Sequence, residues 1–186
     1  MSKHYNIKSY KADLIEAGKK YERCIRRYCT MKVGGETIIK PIDDTLIYEA
    51  KRKAKAYRNQ HIGASGKRLR ASIALQLIDD LKAEGWDLTV TLAVRITKKL
   101  LGRAINRKVL LDYYASENRT ASCKSIDFEK LETIEKTESY NKAKKTLQAT
   151  LEEAIILREA QTEAFKNSIA FKLLSESAKL GKQKNL

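Results

Sequence analysis

Between Ile126 and Leu180 the chain contains neither proline nor glycine. These are the two residues that most disfavour a helix interior, so the composition of this stretch favours helix. Apolar residues keep a rough heptad beat through Leu131, Ile134, Leu147, Leu151, Ala154, Phe165 and Ile169, with a fault near Glu138 and Asn141. The stretch therefore reads as two helices, or as one long helix with a break. An apolar stripe of this kind does not bury itself; it folds back on the body of the chain or pairs with a second copy or a partner protein through 126–180.

Upstream, Tyr10, Leu14, Ala17, Tyr21, Ile25 and Tyr28 recur at steps of three and four, which predicts a helix over 9–29 with Lys19, Arg23 and Arg26 on another side. The segment "TMKVGGETIIKP" places Gly34-Gly35 between two β-prone runs, the signal of a type I′ hairpin with strands near 30–33 and 36–41, the second ended by Pro41. Asp43, Asp44 and Thr45 are N-cap candidates for a helix reaching about Gln60. That helix carries Ile47, Ala50, Ala54 and Tyr57 on one face and Lys51, Lys55 and Arg58 on another. From Leu69, the series Leu69, Ile73, Leu77, Ile78 and Leu81 marks a further helix ending at Glu84-Gly85. Strict alternation of Leu88, Val90, Leu92, Val94 and Ile96 predicts a third strand over 88–96, against the competing possibility of a helix running through to Tyr114. The following "KKLLGRAINRKVLLDYY" is again helical in pattern. The fold class expected is helix-rich α+β with a small sheet and a long C-terminal helical segment; an all-α helical bundle is the alternative.

The 186-residue chain has 42% hydrophobic residues, enough for a real core, but carries a formal charge of +15 and a pI near 9.7. Such an excess points to a polyanionic partner. The excess is lopsided: there are 26 Lys+Arg against 13 Asp+Glu up to Thr120, a net of +13, and 12 against 10 beyond it, a net of +2. Residues 1–120 are accordingly expected to form a basic nucleic-acid-binding domain, and residues 121–186 a helical self-association or docking segment. No stretch approaches the ~18 apolar residues that a membrane helix needs. The start, "MSKHYNIKSYK", also lacks the apolar middle of a signal peptide. An intracellular, soluble protein with no membrane partner is the expectation.

The stretch Ile62-Gly63-Ala64-Ser65-Gly66-Lys67-Arg68-Leu69 resembles the I-G-x-x-G-x-x-[IL] signature of KH domains. The order of elements over residues 9–96 likewise resembles the type II form of that fold. The resemblance implies a loop between two helices that clamps the backbone of a short single strand. Glycine would serve there because the missing Cβ lets the main chain approach phosphates. The residues expected to bind nucleic acid, RNA or DNA, are Lys51, Lys55, Arg58, Gly63, Gly66, Lys67, Arg68 and Arg70, with Arg103 and Arg107 behind them.

Other chemistries find little footing. Gly66-Lys67 lacks the glycine spacing and the Ser/Thr of a Walker loop, and neither His4 nor His61 sits in a nucleophile-activating pattern. Asp43-Asp44 and Asp79-Asp80 read as a cap and a solvated face. Cys24, Cys29 and Cys123 are an odd set without C-x-x-C spacing, so neither a disulfide framework nor a metal site is expected, and no cofactor is implied. The function expected is non-enzymatic binding of phosphate backbones. Two alternatives remain open: a coat or nucleocapsid-type subunit packing around nucleic acid in a repeating assembly, and an assembly factor that docks on a protein.

Overall fold

The computed structural model describes residues 5–115 and 128–184; Cys123 and the expected boundary at 120–121 lie outside them. Helix α1 (Ile7–Cys29) leads into a hairpin of β1 (Thr30–Val33) and β2 (Glu36–Ile39), followed by α2 (Asp44–Ala83), α3 (Val90–Leu101), α4 (Arg107–Ala115), α5 (Phe128–Glu135), α6 (Glu138–Lys166) and α7 (Ile169–Lys184). The protein is helix-rich with a two-stranded antiparallel sheet, Thr30 opposite Ile39 and Val33 opposite Glu36. Gly34 and Gly35 both take positive φ, as the turn of this hairpin requires. The chain divides into two compact units interleaved in sequence: Lys8–Gly66 with Ala154–Leu186, and Met1–Ile7 with Lys67–Glu153. These bounds differ from a division near residue 120, because α2 and α6 each contribute to both units.

In the Lys8–Gly66 unit, Ile25, Cys29, Ile42, Ala50, Ala54, Ala170 and Leu174 are buried together. Helix α7 presents Ala170, Leu174, Ser177 and Gly181 at steps of four, three and four, so mostly small residues face inward and the backbones come close. The Ile42 N–H donates to the Ser177 carbonyl at 3.1 Å, and the Ser177 hydroxyl donates to the Cys29 carbonyl at 3.4 Å. A methyl group on Gly181 would overlap the Ile42 carbonyl, so this contact exists only because residue 181 has no Cβ. Burial pushes the Cys29 thiol above its ordinary pKa, which keeps it protonated among these neighbours.

The other unit is built on larger side chains. Leu77, Ile78, Leu81, Leu88, Ile96, Leu110 and Ile134 are fully buried in one cluster, each worth ~1.5–3 kcal/mol for a fully buried aliphatic side chain. Helix α3 packs on α4 and α5. Helix α2 ends as the sequence predicts: Gly85 takes φ +89°, its N–H donates to the Lys82 carbonyl, and the Trp86 N–H donates to the Leu81 carbonyl, both at 3.0 Å. That pair of bonds is a Schellman closure.

Three expectations are corrected. Residues 88–96 do not form a strand, since α3 begins at Val90. The alternating apolar residues lie beside Ala93, Thr97 and Leu100, and the buried residues Val90, Leu92, Ala93, Ile96, Thr97 and Leu100 follow helical steps of three and four. Thr89 caps the helix by accepting the Leu92 N–H at 3.2 Å, and the Thr97 hydroxyl is satisfied by the Ala93 carbonyl at 2.8 Å. Secondly, the helix expected across "KKLLGRAINRKVLLDYY" is broken between Leu101 and Arg107, with Gly102 at φ +68° closing α3. Thirdly, no loop interrupts residues 61–70. Gly63 and Gly66 are interior to α2, which is held through them by buried Ile62, Ser65 and Leu69 on one side, and the Ser65 hydroxyl donates to the Asp13 carboxylate at 2.6 Å. The glycine stretch that resembles the KH signature and residues 90–96 after it are therefore helical.

The C-terminal fault falls where the heptad beat breaks, between α5 and α6, with the Thr137 hydroxyl accepting the Tyr140 N–H at 3.2 Å. A second break, at Asn167-Ser168, separates α7; the Ser168 hydroxyl accepts the Phe171 N–H at 3.3 Å.

Candidate nucleic-acid interface

The candidate residues fall into separate groups. Lys51 and Lys55 are one turn apart on the exposed side of α2, each following a buried alanine, Ala50 and Ala54. Small alanines pack the inner side of α2 while lysine stems reach outward, so both amino groups are open to solvent. Arg58 is turned inward instead. Its guanidinium lies 5.2 Å from the centre of the Tyr21 ring, and its buried Nε has no hydrogen-bond partner among the described residues. Burial raises the Tyr21 pKa and keeps the phenol neutral, with the same guanidinium opposing that shift.

Gly63 and Gly66 make no cradle. A helix interior commits its N–H groups to carbonyls four residues back, leaving none to offer a phosphate. A Cβ at either glycine would meet nothing, so neither is needed for a close approach. Arg68 leaves the helix near Tyr5, 5.9 Å from that ring's centre.

Lys67, Arg70 and Arg103 are brought together. They line a groove of about 350 Å³ with Ala71, Leu101, Ala104, Ile105, Asn106 and Val109. Lys67 and Arg70 come from successive turns of α2; Arg103 comes from the short connection that Gly102 turns away from α3. Buried Ile105 anchors that connection, so Arg103 sits on a fixed stretch of backbone. Asn106 closes the groove at the start of α4, its side-chain oxygen accepting the Lys108 N–H at 3.0 Å. Arg107 follows as the first residue of α4 and is exposed.

The electrostatics of this groove are one-sided. No lining residue is a carboxylate, and among the described residues none of Lys67, Arg70, Arg103 and Arg107 has an ion-pair partner. The neighbouring Lys99, by contrast, pairs with Glu135 at 3.1 Å. Three cations held together without counter-charge repel one another, and an entering anion relieves that repulsion. The partial positive charge at the start of α4 acts in the same sense. The apolar floor adds packing, and the three cations suit an anion.

Asn106 was not legible as part of a site, although asparagine before "RKVLL" is a readable helix-start signal. Among the described residues, no group of three His, Cys, Asp or Glu side chains is placed to hold a metal ion, and no helix is long and apolar enough to cross a membrane. Comparison with known proteins finds no matching family model, no matching curated protein and no matching solved structure.

Proposed function

We propose that the protein binds polynucleotides without chemistry, contacting phosphate groups through the Lys67–Arg70–Arg103 groove. One observation carries this reading: three cations from two segments far apart in sequence converge on a groove that contains no carboxylate. Exposed Lys51 and Lys55, and Arg107 at the start of α4, supply further charge of the same sign. Contacts of this kind position a backbone and are indifferent to base sequence. The reading does not need a glycine clamp.

The test is a salt titration of binding to a labelled oligonucleotide, for the wild-type chain and for Lys67→Glu combined with Arg103→Glu. Each lost phosphate contact lowers the logarithmic salt slope by about one, so the double variant should lose about two units of slope. Its affinity at moderate salt should fall roughly tenfold or more. Unchanged binding by the double variant, or a flat salt response by the wild type, removes the proposal.

A second reading, a subunit that coats nucleic acid in a repeating assembly, draws on a different observation. Ile155 and Ile156 on α6 and Ile169 on α7 are each more than half exposed in the segment expected to self-associate. Sedimentation with and without nucleic acid separates the two: a particle of fixed small size supports the first, growth into arrays the second.

A further inference from the structure

The Lys8–Gly66 unit holds a second groove, of about 380 Å³, that differs in kind from the first. It is lined by Lys20, Arg23, Cys24, Arg27 and Tyr28 of α1 and by Tyr57 of α2. The five α1 residues lie at steps of three, one, three and one, a single face of the helix. Three are cations. The amino groups of Lys40 and Lys53 add to them, lying 5.9 and 5.5 Å from the centre of the Tyr28 ring. Because these ammonium groups occupy Tyr28, the ring left for an incoming ligand is Tyr57, which is 46% exposed. His61, one turn on, extends its aromatic surface, the two ring centres 5.0 Å apart and tilted by 59°.

No carboxylate lines this groove. Glu16, outside it, pairs with Arg23 at 3.1 Å and Lys20 at 3.9 Å, but these are solvent-exposed pairs. Such pairs contribute little and exchange readily for another anion. Arg27 has no ion-pair partner among the described residues.

A row of cations beside an exposed aromatic ring is the arrangement that recognises unpaired nucleotides: phosphates lie along the cations while a base stacks on the ring. In a duplex each base face is already covered by its neighbours, so an exposed tyrosine gains nothing from it. We infer that the groove of Lys20, Arg23, Arg27 and Tyr57 takes single-stranded nucleic acid, with one base stacked on Tyr57 and adjoining phosphates held by the α1 cations. This inference rests on the polynucleotide reading above, at a different site, and narrows the ligand to unpaired strand.

The experiment measures affinity of the full chain for labelled oligothymidylate and oligouridylate single strands and for a hairpin duplex, at one fixed salt concentration. Tyr57→Leu should weaken binding of the single strand that the wild type prefers by roughly fivefold to a hundredfold, the scale of one lost base stack, and leave the duplex unchanged. Tyr57→Phe, which keeps the ring and loses only the hydroxyl, should bind as the wild type does. Tyr57→Leu binding single strands normally, or weakening the duplex by the same factor, overturns the inference; so does a wild-type chain that binds neither single strand. The combined Lys67→Glu and Arg103→Glu variant separates the two sites. Should it bind like the wild type while Tyr57→Leu does not, the reading of the first groove fails and this one stands.

Discussion

The two units of the molecule solve the same problem in different ways. The Lys67–Glu153 unit fills its interior with leucine, isoleucine and valine from α2, α3, α4, α5 and α6. The Lys8–Gly66 unit brings backbones together over Ala50, Ala54, Ala170, Ser177 and Gly181, with few large side chains buried among them. Charge is divided the other way. Lys8–Gly66 with Ala154–Leu186 holds 20 Lys+Arg against 10 Asp+Glu, a net of +10; the remaining 18 against 13 give the other unit +5. Half the excess charge nevertheless suffices to make a carboxylate-free groove, because Lys67, Arg70 and Arg103 are aimed at one place. Net charge identifies a class of partner, and geometry decides where it is met. A unit with a thin core and a +10 excess also carries more internal repulsion, which bound phosphate would relieve.

The largest effect that sharpens this contrast is expected from Leu81→Ala. Leu81 is fully buried in the aliphatic core, and such truncations cost about 2–5 kcal/mol. Trp86, the chain's single tryptophan, packs on the same core, so its fluorescence follows this unit during urea unfolding. Leu81→Ala should move that midpoint strongly. Next comes Gly181→Ala, which forces a methyl group against the Ile42 carbonyl and should cost about 1–3 kcal/mol or more. Far-UV circular dichroism should record that loss while the Trp86 transition stays in place. If Gly181→Ala instead shifts the Trp86 midpoint as far as it shifts the circular dichroism, the two cores unfold as one and the contrast is broken.

What the sequence disclosed follows the reach of its signals. Helix α1, the hairpin at Gly34-Gly35, the Asp43 cap and the end of α2 at Gly85 are local events, each decided within a few residues, and all are where the pattern puts them. Asp43 accepts the Leu46 N–H at 2.8 Å, for example, a bond readable from "PIDDTLI" alone. The segment 88–96 failed because alternation and helical spacing share residues there: Leu88, Val90, Leu92 and Ile96 fit both periods, and Thr89 and Thr97 are strand formers until their hydroxyls find helical partners. Of the candidate site, Lys67, Arg70 and Arg103 were legible as residues but not as a cluster, since nothing local reports that 103 returns to 67 and 70. The approach of Arg58 to Tyr21 is not legible locally either, because Tyr21 lies on another helix.

The smallest effect is the most diagnostic for the part of α2 that passes from one unit to the other. Glycine in a helix interior costs ~1 kcal/mol relative to alanine, mostly through the freedom it loses from the unfolded chain. Neither Gly63 nor Gly66 has positive φ, and a Cβ at either meets no atom, so alanine fits both positions without strain. Gly63→Ala and Gly66→Ala should each stabilise the protein by about 0.5–1 kcal/mol. Oligonucleotide affinity should be unchanged, because a helical backbone has no free N–H groups to lose. A phosphate-clamping loop demands the reverse, loss of binding when the glycines gain side chains, with no gain in stability. Measuring both quantities on the same two variants therefore decides whether this stretch works as a spine shared by two dissimilar cores or as a loop between them.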